Sequence, residues 1–372
     1  MRIVFAVHHL PPRYTGGAEL RTLRTASQMR GRGHEVEVIC VEHTDRGPEG
    51  GVAWEDGLYD GIPVRRLSFD LAAVPDRFRW EYDNVWIGVH LRQYLAERAP
   101  DLFHLIGGYL ISGRALRVAQ EMGIPTVLTL TDFWFLCPRI HMWRSDGRLC
   151  QAVPEAAACV RCMAEERRRY RLPGRIAPGL ADVFWRSRKG LVDRIEARRA
   201  FLLEVLDGTD CIVSPSQFLR QFFVRAGVVP EKVVFIRQGR DFPTLRPEDL
   251  NKPASPCLRV GYIGQIAPHK GIHVLFAAAR LLAGAPLQVR AYGDTSGFPR
   301  YVAGLRRLIR GDGRMGLNGA FSKEMLSRVL RELDVVVVPS LWYENSPNVI
   351  LEAFAHCTPV IVSNVGGMAE MV

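Results

Sequence analysis

The sequence contains no run of about 18 apolar residues, the length a helix needs to cross a bilayer, so no transmembrane helix is expected. The apolar opening Met1–Val7 is too short for a signal-peptide core and runs straight into His8, His9, Pro11 and Pro12, so a first β-strand is the simpler reading. With no export signal, the eight cysteines are expected in a reducing cytosol, as thiols or metal ligands. There is no short internal repeat and no low-complexity stretch. The 34 glycines and 23 prolines show no collagen-like period, and 48% hydrophobic against 24% charged residues excludes a disordered chain.

What is present is enough chain, 372 residues, for about two domains with cores of their own. The formal net charge of +10 points to anionic partners such as phosphates, nucleotides, nucleic acid or an acidic membrane surface. Short apolar runs alternate with helical patterns. Strands are expected at Arg2–Val7, Glu35–Val41, Pro63–Leu67, Asp101–Ile106, Thr126–Leu130, Cys211–Ser214 and Lys232–Ile236. Helices are expected between them, including Ala18–Arg30, Asn84–Arg98, Gly113–Met122, a long one over Asp182–Leu206, and Gln217–Ala226. Prolines 243, 247, 253 and 256 mark residues 241–257 as a linker. After it the alternation restarts, with strands at Arg259–Ile263, Gln288–Tyr292, Met315–Gly319, Asp334–Val338 and Pro359–Ser363. Two successive β/α blocks predict two doubly wound domains, residues 1–240 and 258–372, with ligand held at the carboxyl ends of strands.

Three segments carry chemistry. In Pro339–Ala353 a run of four valines ends at a loop bearing Glu344; Ser346 and Pro347 read as N-cap and first helical residue, and Glu352 follows eight residues after Glu344. Free N–H groups at such a helix start suit a diphosphate, and the two carboxylates suit the two ends of a sugar nucleotide. In Gly261–Gly271 a strand ends at Gly264 and a loop carries Lys270, a point charge for phosphate; the Gly-x4-Gly-Lys-Ser/Thr pattern of a P-loop is absent. In Pro12–Glu19, Gly16-Gly17 lies directly before a helix and permits close backbone approach to a ligand.

In this order, Gly16-Gly17, Gln265 with Lys270, and Glu344 with Glu352 resemble the family-4 retaining glycosyltransferases. The resemblance implies the GT-B fold: α/β, two doubly wound Rossmann-like domains facing across a cleft. The stretch Pro125–Arg139 is similar to members that build bacterial surface polysaccharides. By resemblance, Glu352 holds the ribose hydroxyls and Glu344 contacts the transferred sugar. Lys270 binds the pyrophosphate with the backbone of Asn345, Ser346, Asn348 and Val349. Gly16 and Gly17 face the phosphates, while Gly293, Phe321 and Ser322 line the base pocket. Asp132 and its neighbour Thr131 stand where relatives contact the sugar near the anomeric carbon. The sequence departs from the family in three places. Gln265 replaces an Arg, Thr131 replaces a His, and the sequence stops at Val372, before the terminal strand and helices that relatives carry. The implied activity is transfer from a nucleotide-diphosphate sugar to a glycan or lipid-linked acceptor, of hexosyl type, with retention. No Asp-x-Asp occurs, so catalysis is expected to need no metal cofactor. The alternative is a catalytically degenerate sugar-nucleotide-binding chain.

Two features stand outside that scheme. Cys137, Cys150, Cys159 and Cys162 fall within 26 residues and can supply four thiolates to a structural zinc, or stand as reduced thiols; His141 is a further ligand candidate. They open an insertion over about 137–205. Within it, residues 161–200 hold 12 Lys/Arg against 5 Asp/Glu, with Tyr170, Phe184 and Trp185 interleaved. Either this is a solvated helix that packs its apolar stripe (Leu180, Val183, Leu191, Ile195, Leu202) on the first domain, or it is a basic amphipathic segment for an anionic membrane surface. A nucleic-acid partner is not expected. The chain is expected in the cytoplasm, with the inner face of the plasma membrane as a peripheral site.

Overall fold

The computed structural model describes residues 1–240, 242, 245 and 247–372. The chain divides into two compact units, Met1–Ile236 and Arg237–Val372. Of the expected linker, residues 241, 243, 244 and 246 lie outside the described residues.

The first unit is built on eight strands: β1 (Arg2–Val7), β2 (Glu35–His43), β3 (Ala53–Tyr59), β4 (Ile62–Ser68), β5 (Leu102–Ile106), β6 (Thr126–Thr129), β7 (Cys211–Ser214) and β8 (Val233–Phe235). They line up in the order β3-β4-β2-β1-β5-β6-β7-β8. All pairs are parallel except β3 with β4. β1 is central and five of its six residues are buried, which is why it reads as a continuous apolar run. β3 was not expected. Its faces are mostly exposed and it lacks an apolar run, but Asp60 and Gly61, both at positive φ, make the two-residue turn that closes a hairpin onto β4.

The helices follow the expected pattern with one break. Asn84 caps the helix Val85–Arg98 and Ser216 caps Gln217–Arg225, each by accepting a hydrogen bond from the third residue on. The long helix expected over Asp182–Leu206 is two, Pro178–Arg186 and Lys189–Asp207, because the chain turns at Ser187 and Arg188. Helices Ala156–Ala164 and Arg168–Ile176 precede them in the insertion. A separate small core of Ala156, Cys159, Val160, Trp185 and Ile195 holds the insertion together.

The second unit has five parallel strands, β9 (Leu258–Ile263), β10 (Leu287–Tyr292), β11 (Met315–Gly319), β12 (Val335–Val338) and β13 (Val360–Val362), in the order β11-β10-β9-β12-β13. Successive residues serve opposite faces: Tyr262 and Ala291 join one core cluster, while Ile263 and Tyr292 pack on the other. The strand order reverses between β9 and β12. That switch point leaves a crevice at the strands' carboxyl ends, where ligands of open α/β sheets bind.

Candidate active site

The loops after β9 and β12 bring Lys270 and Glu344 together at this switch point. Lys270 lies in a short 3-10 turn, Pro268–Lys270. Gly271 after it has φ of +73°, and a Cβ there would stand 1.8 Å from the carbonyl oxygen of Pro339. Only glycine lets the β9 loop approach the β12 loop so closely. Leu341 N–H donates to the His269 carbonyl at 2.8 Å and locks the two loops.

Lys270 Nζ then reaches Glu344 Oε1 at 2.5 Å. The same oxygen accepts from Trp342 Nε1 at 2.6 Å and Ser340 Oγ at 3.2 Å. The ammonium sits 5.0 Å from the centre of the Trp342 ring, which lies tilted against His269 with ring centres 3.9 Å apart. Glu344 is also fixed through its backbone, because Gly367 N–H donates to its carbonyl at 2.6 Å. The result is a carboxylate and an ammonium held in register by two loops.

The helix Asn348–Ala355 follows. The expected N-cap is displaced by one: Pro347, with extended backbone, is the cap, and Asn348 is the first helical residue. Ser346 makes no cap bond. Its Oγ is buried and has no hydrogen-bond partner among the described residues. Gln238 Nε2 donates to the Ser346 carbonyl (3.0 Å) and to Asn348 Oδ1 (2.8 Å), which pins this helix start. The second carboxylate, Glu352, is buried one turn in and forms an ion pair with Arg240. Asn345 and Val349 are half-buried beside these groups, and Val349 packs on the core.

The proposed base-pocket residues lie at the neighbouring strand ends. Gly293 follows β10, and a Cβ there would stand 1.9 Å from the Gly264 carbonyl oxygen. Phe321 packs edge-on against Tyr292 at 5.7 Å between ring centres, and Ser322 is exposed. Gln265 is exposed, and its carbonyl accepts from Tyr262 Oη at 2.7 Å. Burial pushes that phenol well above its ordinary range, so Tyr262 stays a neutral donor.

In the first unit a second group gathers where β1 and β5 part. Gly16 caps and Gly17 opens the helix Gly17–Gly31. One turn in, buried Glu19 faces His8 at 3.3 Å. Burial opposes the charge on Glu19, but the His8 contact outweighs it and holds the carboxyl below its usual range. Thr131 Oγ1 donates to Asp132 Oδ2 at 3.0 Å, and Trp134 N–H donates to Asp132 Oδ1 at 2.7 Å. Burial nevertheless raises the Asp132 carboxyl above its usual range.

Sequence reasoning missed Arg240, Gln238, Trp342, Ser340 and the His8–Glu19 pair. Trp342 and Ser340 sit in the segment already singled out. Arg240 and Gln238 come from a stretch assigned to the first domain, and no spacing linked them to Glu352.

The four cysteines of the expected metal set do line one cavity, of about 20 Å3. Two of the sulfurs face other partners. Arg139 (3.3 Å) and Ser145 N–H (3.4 Å) donate to Cys162 Sγ, and Arg199 donates to Cys159 Sγ at 3.1 Å. Among the described residues no group of three or more His, Cys, Asp or Glu can hold a metal ion, so the arrangement lends the expected structural zinc no support.

Residues 16–239 match the glycosyl transferase 4-like domain, and residues 257–372 match the glycosyl transferases group 1 domain. The chain belongs to the group 1, 4-like glycosyltransferases. A D-inositol 3-phosphate glycosyltransferase of Rhodococcus erythropolis is 30% identical over 160 residues, 39% of this chain and 36% of that protein. A glycogen synthase of Mycobacterium tuberculosis is 23% identical over 394 positions, covering 100% of this chain and 80% of the relative. The alignments span about a third of the length of the first curated relatives matched. Alr3699/HepE of Anabaena, solved in complex with UDP, superposes with a TM-score of 0.63 at 19% identity, over 100% of this chain and 83% of that one. The likeness carries the fold, which for this glycosyltransferase is GT-B, with two Rossmann-like parallel-sheet domains.

Proposed function

We propose that this glycosyltransferase moves a sugar from a nucleotide-diphosphate donor to a glycan or lipid-linked acceptor, with retention at the anomeric carbon. The observation that carries the reading is the Lys270–Glu344 pair at the β9/β12 switch point, beside a helix start whose Ser346 hydroxyl lacks a partner among the described residues. The buried hydroxyl, the N–H groups of Asn348 and Val349 and the Lys270 ammonium suit two phosphates. Glu344 takes the hydroxyls of the transferred sugar and Glu352 those of the ribose. Gly293, Phe321 and Ser322 take the base.

In the transfer, the bond from the anomeric carbon to the diphosphate oxygen breaks, and the electron pair leaves with the nucleoside diphosphate. A bond from the anomeric carbon to an acceptor hydroxyl oxygen forms, and that hydroxyl's proton passes to the departing diphosphate oxygen. Charge therefore grows on the departing phosphate, where Lys270 and the positive end of the helix dipole act. No metal bridge is assigned to the diphosphate. In the first unit, Gly16, Gly17, Thr131 and Asp132 are assigned to donor phosphate and sugar. A hexosyl donor, and a role in surface polysaccharide synthesis at the cytoplasmic face of the plasma membrane, complete the proposal.

UDP is the first ligand to test, because HepE was solved with it. Calorimetric titration is expected to show UDP binding that weakens at least tenfold, about 1.4 kcal/mol, in Lys270→Ala. Gln265→Ala, which removes a hydrogen-bond donor but no charge, is expected to weaken binding less than Lys270→Ala does. Equal affinity in Lys270→Ala defeats the assignment. Slow release of free sugar from a UDP-sugar separates a transferase from a chain that only binds.

A further inference from the structure

The basic insertion of the first unit turns an apolar face outward. On the helix Arg168–Ile176, Tyr170 packs on the insertion core and Gly174 is buried, while Leu172 and Ile176 on the other side are 60% and 76% exposed. On the helix Pro178–Arg186, Ala181 and Trp185 face inward, while Leu180 and Val183 are 75% and 68% exposed. Leu191 is exposed as well. Of the stripe expected to pack on the first domain, only Ile195 and Leu202 are buried. Helices that end in solvent carry polar residues on that side.

Exposed cations surround the outward residues. Arg167, Arg168, Arg169, Arg175, Arg188 and Lys189 are exposed and make no ion pair among the described residues. Two of them lie over aromatic rings, Arg169 on Tyr170 and Arg188 on Phe184. Behind this face opens an apolar hollow of about 360 Å3, lined by Phe78, Met163, Tyr170, Trp185 and Ile195 with Arg167 at its edge. No helix is long and apolar enough among the described residues to cross a membrane, so this is a face and not a span.

We propose that the helices Arg168–Ile176 and Pro178–Arg186 seat the protein on an anionic lipid surface, with the aliphatic side chains entering the headgroup boundary and the arginines meeting lipid phosphates. Charge complementarity selects this occupant. A second copy would bring the same positive charge to the contact, whereas anionic lipid attracts each cation near the surface. The outward face carries the exposed ring of Phe184 but is mostly aliphatic, and Leu172, Ile176, Leu180 and Val183 offer a nucleic-acid base nothing to stack on while gaining from apolar burial in lipid. The hollow lies where one chain of a seated lipid can enter. The inference rests on the transferase reading only for its purpose, to bring the enzyme to a lipid-linked acceptor.

The test is flotation of the full chain with phosphatidylcholine vesicles, with and without one third phosphatidylglycerol. The chain is expected to float with the anionic vesicles only, and less so as salt rises. Leu180→Asp with Val183→Asp alters two exposed positions and is expected to cut the bound fraction at least tenfold. Its UDP affinity by calorimetry should match the unaltered chain, so failure here is distinct from failure of the donor site. Absent flotation, equal flotation on neutral vesicles, or no effect of the double variant overturns the proposal. So does a dimer that the double variant splits, or retention of duplex DNA through the same residues, since each gives the face to another occupant.

Discussion

Glu352 and Arg240 are the residues whose charges have least water around them in the second unit's site, with side chains only 11% and 12% exposed. Removing one member of so enclosed a pair strands the other, at a cost of about 3 kcal/mol, whereas replacing both with neutral groups of similar size is far milder. Arg240→Met is therefore expected to lower the urea midpoint of the second unit's unfolding clearly. Arg240→Met with Glu352→Gln should recover most of the loss. A double variant as unstable as Arg240→Met alone would show that the pair is not what holds this corner. UDP binding should fall in the double variant regardless, because Glu352 is assigned to the ribose.

At the scale of elements, the β9 loop depends on a residue with no side chain. Gly271→Ala places a methyl group against the Pro339 carbonyl at a backbone angle other residues avoid, a strain of about 1–3 kcal/mol before any displacement of Lys270. The expected outcome is a lower urea midpoint together with weakened UDP titration, because the Lys270 turn and the Glu344 loop part. Unchanged binding would mean that the loops tolerate separation. How far such elements were legible depended on their burial. β1, β9 and β12 are covered on both faces and read as apolar runs, so they were placed closely. The hairpin strand β3 is mostly exposed and carries no alternation, so it was not expected from the sequence. The helix Ala156–Ala164 carries a regular stripe at Ala156, Cys159, Val160, Met163 and Ala164 that faces a small core of its own, but its cysteines read as metal ligands rather than as core residues. At the site, Lys270, Glu344 and Glu352 were legible because loop and helix chemistry marks them locally. Arg240 and Gln238 reach them from a distant part of the sequence, and no local pattern encodes that.

At the scale of the whole molecule, stability is expected to depend on pH through the first unit's sheet. His104 on β5 bonds Thr129 Oγ1 at 2.8 Å beside Phe5, and burial with the nearby Arg21 charge lowers it to about 3. His90 is lowered to about 4, by burial first and Arg65 second. Unfolded, each takes a proton near pH 6.5; folded, neither does until the pH is far lower. The unfolded state thus binds more protons below about pH 6.5, and stability falls as pH drops from there toward 3 to 4. For His104 the slope is about 1 kcal/mol per pH unit, and above neutrality its contribution is constant. Urea midpoints measured between about pH 7.5 and 5 should decline, and His104→Gln should flatten the decline. An identical slope in that variant would assign the acid sensitivity elsewhere.

The Lys270–Glu344 and Arg240–Glu352 pairs have one more consequence. Glu344 and Glu352 each have a cationic partner in the second unit's site, and the Lys270 ammonium is engaged. On the proposed reading, donor binding is an exchange of partners, in which phosphate and hydroxyls together replace contacts that the pairs already make. A stray small anion offers phosphate without hydroxyls, and a free sugar offers hydroxyls without phosphate. On that reading neither completes the exchange, and the site favours molecules that join both chemistries in one body.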